Sequence, residues 1–208
     1  MKSYSQNAED LFILNYFGNY KGTLLEVGAN DGKTLSNSLL LIKNGWKAHL
    51  VEPGNVFEYL FHQHVANSNV TLHNYAIGGE FNKEATFYES AAHVAGGADI
   101  GLVSSLDFEE TERWRKNGVA FTETKVQVKS FREFYKEAGQ PKFDFISIDA
   151  EGFDWDILQQ INLTEVGCKA LCIEFNGIEA LQVQFTNYCA LHGLKLAHIN
   201  NENLIFFR

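Results

Sequence analysis

The stretch LLEVGANDGKTLSNS, residues 24–38, decides the fold of this chain. An apolar run stops at Glu26, a loop bounded by Gly28 and Gly32 follows, and a segment with helical character comes next. Glycine has no Cβ, so it adopts backbone conformations closed to other residues and lets the chain pass close to a ligand. The pattern therefore predicts a strand, a ligand-facing loop and a helix in succession.

Strand-like and helix-like segments alternate around this stretch, with one interruption. Before the interruption the predicted strands are 23–27, 47–51 and 70–75, and the predicted helices are 7–17, 34–43 and 56–65. After it the predicted strands are 143–148 and 170–175, the predicted helices are 154–160 and 179–191, and a predicted hairpin spans 194–208. Such alternation predicts an α/β, Rossmann-like fold, in which a mostly parallel sheet has helices on both faces and an antiparallel C-terminal hairpin. Asn7, with Asp10 three residues later, predicts a capping box at the first helix.

The interruption runs from about residue 84 to 140 and has a different character. ATFYES (85–90) and TKVQVKSF (124–131) are typical of half-exposed strands, and SLDFEETERW (105–114) is typical of a short helix. The segment AAHVAGGADIGLVSS is small, glycine-rich and weakly periodic. Such a segment is either a surface loop or a lid that orders on a ligand.

Composition bounds the class of protein. The chain has 208 residues and no linker, so we predict one domain, 1–208, with an N-terminal helix in 1–20 and a substrate or lid insertion at about 90–121. The formal net charge of −9 disfavours a nucleic-acid partner, which needs a basic face. Because no window is apolar enough for a signal peptide or membrane span and the three cysteines form no C-x-x-C pair, we expect a reduced, cytoplasmic protein.

Polar or small residues follow each predicted parallel strand where it ends. Parallel strands place their carboxyl ends on one edge of the sheet, and ligands of this fold class bind there. These residues are Glu26, Gly28, Asn30 and Asp31 after the first strand, Glu52 and Pro53 after the second, Ala76 after the third, Asp149 and Glu151 after the fourth, and Glu174 and Asn176 after the fifth. We expect them to share one site.

The first of these loops separates two kinds of cofactor. Glu52, some two dozen residues further on, has the position of a carboxylate that accepts the ribose hydroxyls of a nucleoside. A dinucleotide binder needs Gly-x-Gly-x-x-Gly, which seats pyrophosphate at a helix N-terminus. Here the loop is Gly-Ala-Asn-Asp-Gly, with Asp31 inside it and Glu26 just before it. Carboxylates repel pyrophosphate and suit a sulfonium or ammonium group, so the loop indicates S-adenosylmethionine.

The chain resembles the FkbM family of S-adenosylmethionine-dependent methyltransferases. The resemblance lies in YSQNAEDLFI, LLEVGANDG, GWKAHLVEP, NYAIGG, VSSL and FISIDAEGFDWDIL, which together extend over nearly the whole chain. Ala150 stands where the family typically has valine. The resemblance implies a class I methyltransferase fold, whose seven-stranded sheet has an antiparallel last strand, and O-methylation of a sugar or natural-product hydroxyl.

The resemblance also implies roles for individual residues, which we state as expectations. The methionine end of the cofactor is expected to bind Glu26, Gly28, Asn30 and Asp31, and Ser36 and Ser38 are expected to add hydroxyls. The ribose is expected to bind Glu52, and Pro53 is expected to fix the chain after it. The adenine is expected near the backbone of Ala76, and the sulfonium is expected beside Asp149.

An alcohol acceptor needs a base or a metal ion that withdraws its proton as the new bond forms. The candidate bases are Asp149, Glu151, Glu174 and His93. Asp149, Glu174 and Asn176 end neighbouring strands, and two carboxylates with an amide are hard ligands suited to Mg²⁺ or Mn²⁺. The set is similar to the site of catechol-type O-methyltransferases. The expected reaction therefore uses either a divalent ion or a direct carboxylate or histidine base.

Two other functions are open from the sequence. A NAD-type nucleotide-dependent oxidoreductase would share Glu52, but the first loop lacks the third glycine and carries acids where pyrophosphate would lie. A non-catalytic cofactor-binding module would be expected to lack an acid among Asp149, Glu151 and Glu174, and all three are present. The expected partner is a small-molecule or glycan acceptor, and Trp114 lies near a site loop, where an aromatic face suits a sugar ring.

Overall fold

The apolar runs of the sequence form short strands in the structure, which is a computed structural model that describes residues 2–79, 83–91 and 100–208. The strands in these ranges are β1 (Thr23–Val27), β2 (Lys47–Val51), β3 (Val70–His73), β4 (Ala76–Ile77), β5 (Lys83–Ser90), β6 (Phe121–Lys129), β7 (Phe145–Ile148), β8 (Ala170–Glu174), β9 (Lys195–Ile199) and β10 (Asn203–Phe207). The helices are α1 (Glu9–Phe17), α2 (Leu39–Lys43), α3 (Phe57–His64), α4 (Phe108–Arg115), α5 (Phe131–Glu137), α6 (Asp154–Leu158) and α7 (Glu179–Leu191).

Seven of these strands form a central sheet in the order β3-β2-β1-β7-β8-β10-β9. The pairs from β3 to β8 are parallel, whereas β10 runs antiparallel to both β8 and β9. This confirms the predicted mostly parallel sheet with an antiparallel hairpin. The chain leaves β1 toward β2 on one side and returns to β7 on the other, so the strand order reverses between β1 and β7 and opens a crevice there.

Two hydrophobic cores lie on opposite faces of the sheet, because successive side chains of a strand alternate in direction. Leu24 of β1 belongs to one core together with Ile13 of α1 and Leu41 of α2. The next residue, Leu25, belongs to the other core together with Phe134 of α5. Helices α1, α2 and α3 thus cover one face and α5, α6 and α7 cover the other, which confirms the prediction of helices on both faces.

A second, three-stranded sheet has the order β4-β6-β5. The sequence predicts two half-exposed strands in this region but does not assign them to a separate sheet. The segment that leads into α4 joins this sheet, because the backbones of Tyr88 and Ser105 exchange two hydrogen bonds of 2.9 and 3.1 Å. The predicted insertion therefore packs against the hairpin of β5 and β6 where the structure describes it.

The sequence prediction missed α5. The alternating pattern predicts a strand through Phe131, but β6 ends at Lys129 and Ser130 begins a helix. The Ser130 hydroxyl accepts a hydrogen bond from the backbone N–H of Glu133 (3.2 Å), and the Glu133 carboxylate accepts one from the backbone N–H of Ser130 (2.9 Å). This is a capping box, so the Ser-x-x-Glu signal for the helix was present in the sequence.

The capping box predicted at Asn7 is wrong. Helix α1 begins at Glu9, and its N-cap is Ala8 in the left-handed conformation (φ 65°) with no side-chain cap. The Asp10 carboxylate turns back and accepts a hydrogen bond from the backbone N–H of Tyr4 (2.7 Å). Asp10 therefore holds the N-terminal segment against the helix.

Two predicted element boundaries are also wrong. The helix predicted from residue 34 begins only at Leu39, because residues 28–38 form a loop held by the site described below. The third strand ends at His73 and not at Tyr75. The chain then turns so that the two residues of β4 pair with β6 in the small sheet.

None of the described helices is both long and apolar enough to cross a membrane. Cys168, Cys172 and Cys189 are buried free thiols.

Candidate active site

A cavity of about 290 Å³ lies at the carboxyl ends of β1, β2, β7 and β8, at the reversal of strand order. The predicted site residues that line it are Glu26, Gly28, Asn30, Ser36, Glu52, Pro53, Ala76, Asp149, Glu151, Glu174 and Asn176. The strand ends therefore meet as the sequence predicts, and most of the predicted site residues share one cavity.

Gly28 lets the loop after β1 enter between β2 and β7. Its backbone N–H donates to the Val51 carbonyl of β2 (3.0 Å), and its φ of 81° lies in the left-handed region. A Cβ at this position would lie 1.7 Å from the backbone oxygen of Asp149, which follows β7. No side chain fits at this approach, so residue 28 has to be glycine.

Glu26 fixes the far end of the same loop. Its carboxylate accepts hydrogen bonds from the backbone N–H of Asn37 (3.1 Å) and from the Ser38 hydroxyl (2.5 Å). Burial raises the pKa of Glu26 to about 7, and these hydrogen bonds oppose the rise. The Ser36 hydroxyl accepts from the backbone N–H of Leu39 (3.0 Å) at the start of α2. The two predicted serines therefore shape the loop, and Ser36 also faces the cavity.

Asn30 and Asp31 have different positions although they are adjacent. Asn30 lines the cavity in the left-handed conformation (φ 47°), and its side-chain N–H donates to the backbone oxygen of Ile100 (3.4 Å). The Asp31 carboxylate accepts from the backbone N–H groups of Lys33 (2.8 Å) and Thr34 (2.6 Å). Asp31 thus closes a turn within the loop and is not among the described residues that line the cavity.

Glu52 lies at the end of β2 with its carboxylate inside the cavity. One oxygen accepts from the backbone N–H of Asn30 (3.0 Å) and the other from that of Gly54 (3.1 Å). Burial raises its pKa to about 7, these hydrogen bonds oppose the rise, and the nearby charge of Glu89 adds to it. Each oxygen keeps a second lone pair for a ligand hydroxyl.

Three carboxyl groups cluster where β7 and β8 end. Oxygens of Asp149, Glu151 and Glu174 all lie within 4.8 Å of one another. Glu151 and Glu174 are each only 8% exposed, and Glu151 has a left-handed backbone (φ 46°). A non-glycine residue in this conformation carries strain, which is typical of functional sites.

The electrostatics of this acidic cluster favour protons or a bound cation. Burial raises the pKa of Asp149 to about 8, and the charges of Asp154 and Glu26 raise it further. Burial and the charge of Asp149 also raise the pKa values of Glu151 and Glu174 well above the ordinary value. The three groups therefore resist simultaneous ionisation near neutral pH.

Because of this resistance, we expect the free protein to lose stability as the pH rises. The pKa of Asp149 is about 8 in the folded chain against an ordinary 3.8, so the folded state binds a proton that the unfolded state releases. Its stabilising contribution is complete below pH 3.8 and is lost as the pH rises to about 8. Asp149→Asn should therefore gain stability over the wild type, by about 1–3 kcal/mol at pH 8 and less at pH 5.

Urea unfolding of both proteins across this pH range measures the difference. The exposed substitution Glu84→Gln serves as the control and should follow the wild type at every pH. An Asp149→Asn gain that is equal at pH 5 and pH 8 would contradict the expected titration.

Arg113 of α4 is the one lysine or arginine among the described residues that line the cavity. Its guanidinium lies 4.0 Å from Glu151 and also pairs with Glu110. The Ser105 hydroxyl donates to the backbone oxygen of Glu151 (2.6 Å), which ties the segment before α4 to the acidic cluster. The described lining of the cavity therefore has one basic side chain and six acidic ones, which are Glu26, Glu52, Asp149, Glu151, Glu174 and Glu202.

Apolar side chains from the second sheet and the α4 region complete the cavity. Phe87 of β5, Val103, Leu106 and Trp114 line it together with Ile77 of β4. A site with charged groups on one part of its lining and apolar or aromatic groups on the rest suits an amphipathic ligand such as a sugar ring or a nucleoside.

The N-terminal segment also contributes to the site, which the sequence analysis did not foresee. Gln6 lines the cavity, and Ser5 forms a parallel bridge with Leu35 of the site loop. The side-chain amide of Asn7 donates to the Glu202 carboxylate (2.7 Å) before β10. The motif YSQNAED belongs to the family resemblance, but its residue types do not indicate a binding or catalytic role.

Asn176 and His93 are the remaining predicted site residues. Asn176 lines the cavity with a left-handed backbone (φ 51°), and its backbone N–H donates to the backbone carbonyl oxygen of Glu202 (3.2 Å). It therefore lines the same cavity as the carboxylates of Asp149, Glu151 and Glu174. His93, a candidate base, lies outside the described residues.

A family comparison gives the chain its class. Residues 26–192 match the methyltransferase FkbM domain, so the chain belongs to this family. No curated protein matches the chain significantly.

Solved structures show the same fold at low sequence identity. The METTL16 methyltransferase domain has a TM-score of 0.53 with 10% identity over 95% of this chain, which spans 64% of that domain. A methyltransferase from Geobacter sulfurreducens has a TM-score of 0.50 with 12% identity, over 98% of this chain and 79% of its own length. PH1948 from Pyrococcus horikoshii, provisionally described as an RNA methyltransferase, has a TM-score of 0.51 with 11% identity, over 97% of this chain and 83% of its own.

The family and the fold together make the chain an S-adenosylmethionine-dependent methyltransferase with a class I, Rossmann-like fold.

Proposed function

We propose that this methyltransferase transfers the methyl group of S-adenosylmethionine to a hydroxyl of a sugar or natural-product acceptor. The observation that carries the proposal is the cluster of the half-buried Asp149 with the buried Glu151 and Glu174, in the cavity that also holds the glycine loop and Glu52. The cluster offers carboxylates that can accept the proton of an alcohol as its oxygen attacks the methyl group.

The residues around the cavity fit the cofactor. Gly28 keeps side-chain atoms out of the narrow approach between β1 and β7, and Glu52 keeps acceptor positions for two ribose hydroxyls. The residues proposed to hold it are Glu26, Gly28, Asn30, Ser36, Glu52, Pro53, Ala76 and Asp149, with Asp31 and Ser38 supporting the loop. When bound, S-adenosylmethionine supplies a methyl group activated on a sulfonium.

The acidic cluster is proposed to accept the proton of the acceptor hydroxyl. With a pKa of about 8, Asp149 is a stronger base than an exposed carboxylate, and near-neutral values suit proton transfer at physiological pH. Glu151 and Glu174 lie close enough to share the proton. The protein's main contribution is the placement of the reacting groups, which is worth roughly 7–11 kcal/mol in well-oriented systems.

A divalent ion is the second part of the proposal. Asp149, Glu151 and Glu174 fit Mg²⁺ or Mn²⁺, because hard oxygen donors converge there and two of the carboxylate oxygens have no hydrogen-bond partner among the described residues. Asn176, which lines the same cavity, would add an amide. An ion at this position would lower the pKa of the acceptor hydroxyl.

Titration of Mg²⁺ into protein saturated with S-adenosylhomocysteine tests the metal. We expect binding heat, together with turnover that EDTA removes. No heat and full activity in EDTA would leave the carboxylate cluster as the base without a metal.

A sugar or natural product fits the site better than a nucleic acid. The whole chain carries a net charge of −9, and six of the seven charged residues that line the cavity are acidic. A phosphate backbone would meet repulsion at this surface.

Variants of the acidic cluster test the reaction. Asp149→Asn and Glu174→Gln should each lower the turnover of a glycoside or polyketide acceptor by about 10²–10⁴-fold, since they remove a proton acceptor. Binding of S-adenosylhomocysteine to Glu174→Gln should stay within a factor of about three, because Glu174 lies outside the proposed cofactor residues. Turnover that survives both substitutions would contradict the assigned base.

A further inference from the structure

Asn203 is the first residue of β10 and faces Glu174 across the antiparallel pair. It lines the cavity and is only 6% exposed. Its side-chain oxygen Oδ1 is buried and has no hydrogen-bond partner among the residues that the structure describes. An unsatisfied buried polar atom costs stability, so in a native protein such an atom usually contacts an ordered water, an ion or a ligand.

A hydrogen bond to Glu9 fixes the orientation of the Asn203 amide. Its Nδ2 donates to Oε1 of Glu9 (3.0 Å), and Glu9 is only 1% exposed. The same carboxylate accepts from the side chain of Asn200 (2.6 Å) and the backbone N–H of Asn7 (2.8 Å). Because a carboxylate accepts and does not donate, the amide nitrogen has to face Glu9, and Oδ1 therefore faces away from it.

Other acceptor oxygens belong to residues that line the same cavity. Oε2 of Glu174 and Oε2 of Glu151 are buried without a hydrogen-bond partner among the described residues. The half-exposed Arg113 lies 4.0 Å from Glu151 and is also paired with Glu110. Several oxygens without donors in a buried place call for a cation.

We infer that Asn203 supplies a neutral oxygen ligand to a divalent cation held by Asp149, Glu151 and Glu174, and that Glu9 is the residue that positions it. This inference rests on the metal proposed above and adds a residue that neither the sequence nor the carboxylate cluster assigns. It also gives the N-terminal segment a part in the chemistry, since Glu9 lies before the matched domain at residues 26–192.

Titration of Mn²⁺ into the full chain saturated with S-adenosylhomocysteine tests the ligand. Asn203→Ala should weaken Mn²⁺ binding at least tenfold and leave the affinity for S-adenosylhomocysteine within a factor of about two. Asn201→Ala is the matched control, because this exposed asparagine lies in the same turn. It should leave both affinities unchanged.

A double-mutant cycle separates positioning from general destabilisation. Glu9→Gln should weaken Mn²⁺ binding about three- to tenfold when Asn203 is present, because an amide at residue 9 no longer fixes the amide of Asn203. In the Asn203→Ala background the same substitution should have no further effect on Mn²⁺ affinity. Thermal melting of every variant shows whether it is folded at the titration temperature.

The outcomes distinguish the inference from the proposed function. Equal Mn²⁺ affinity of the wild type and Asn203→Ala would overturn the inference, and so would additive losses from the two substitutions. Absence of Mn²⁺ binding to the wild type would overturn it as well, while binding of S-adenosylhomocysteine in the same sample would leave methyl transfer standing.

Discussion

Gly28→Ala is expected to destabilise the protein by more than about 4 kcal/mol, or to prevent folding, because its Cβ has no room. The new methyl group would lie 1.7 Å from the backbone oxygen of Asp149, so β1 and β7 would have to separate at the centre of the sheet. The left-handed φ of 81° adds the ordinary penalty for a side chain.

Gly139→Ala separates these two effects. Gly139 has nearly the same φ (80°), and no described atom lies within 4 Å of the position of its Cβ. This substitution should cost only about 1–2 kcal/mol, which is the conformational penalty alone. Urea unfolding of both variants measures the difference, and equal losses of stability would show that the approach of the loop to Asp149 does not constrain residue 28.

Glu52→Ala is expected to weaken the binding of S-adenosylhomocysteine at least tenfold, or by about 1.4 kcal/mol. The carboxylate both accepts from the backbone of Asn30 and Gly54 and presents its remaining lone pairs to the cavity. Its loss removes the proposed ribose acceptors and releases the loop that carries Asn30. Both consequences act on the same ligand.

Two controls accompany this variant. Glu58→Ala removes an exposed acid from α3 and should leave the affinity unchanged. Glu52→Gln keeps the size of the side chain but places an amide N–H against a backbone N–H, so it should also weaken binding. Isothermal titration gives all three affinities. An affinity of Glu52→Ala within a factor of two of the wild type would place the ribose elsewhere.

The central sheet and the edge that carries the site were predictable from the sequence, because both depend on local patterns. Apolar runs that end in Glu26, Glu52 or Asp149 mark buried strands whose polar ends lie at the sheet edge, and parallel topology brings those ends together. The tight loop at Gly28 was predictable for the same reason, because a glycine that directly follows a strand is a local sequence pattern.

The contribution of the N-terminal segment to the site was not predictable in this way. Glu9 contacts Asn203 over a separation of 194 residues, and Asn7 contacts Glu202 over 195. No periodicity in either segment encodes such a contact. The pairing of Asn203 with Glu174 depends on the register of an antiparallel strand, which the sequence does not give at the level of single residues.

Asp31 and the start of α2 show a second limit. Local sequence favours a helix soon after Gly32. The Glu26 carboxylate instead accepts hydrogen bonds from the backbone N–H of Asn37 and the hydroxyl of Ser38, and the helix begins only at Leu39. A buried carboxylate from another element thus overrides helix propensity. The carboxylate of Asp31, expected at the ligand, is used within this same loop.

The most direct test of the whole account is a titration of the purified protein with S-adenosylhomocysteine and, separately, with NAD⁺. We expect micromolar binding of S-adenosylhomocysteine and no binding of NAD⁺, because Glu26 and Glu52 line the cavity and the loop from Gly28 to Gly32 lacks the glycine pattern of a pyrophosphate seat. Binding of NAD⁺, or of neither ligand, would contradict the assignment of this cavity to the methyl donor.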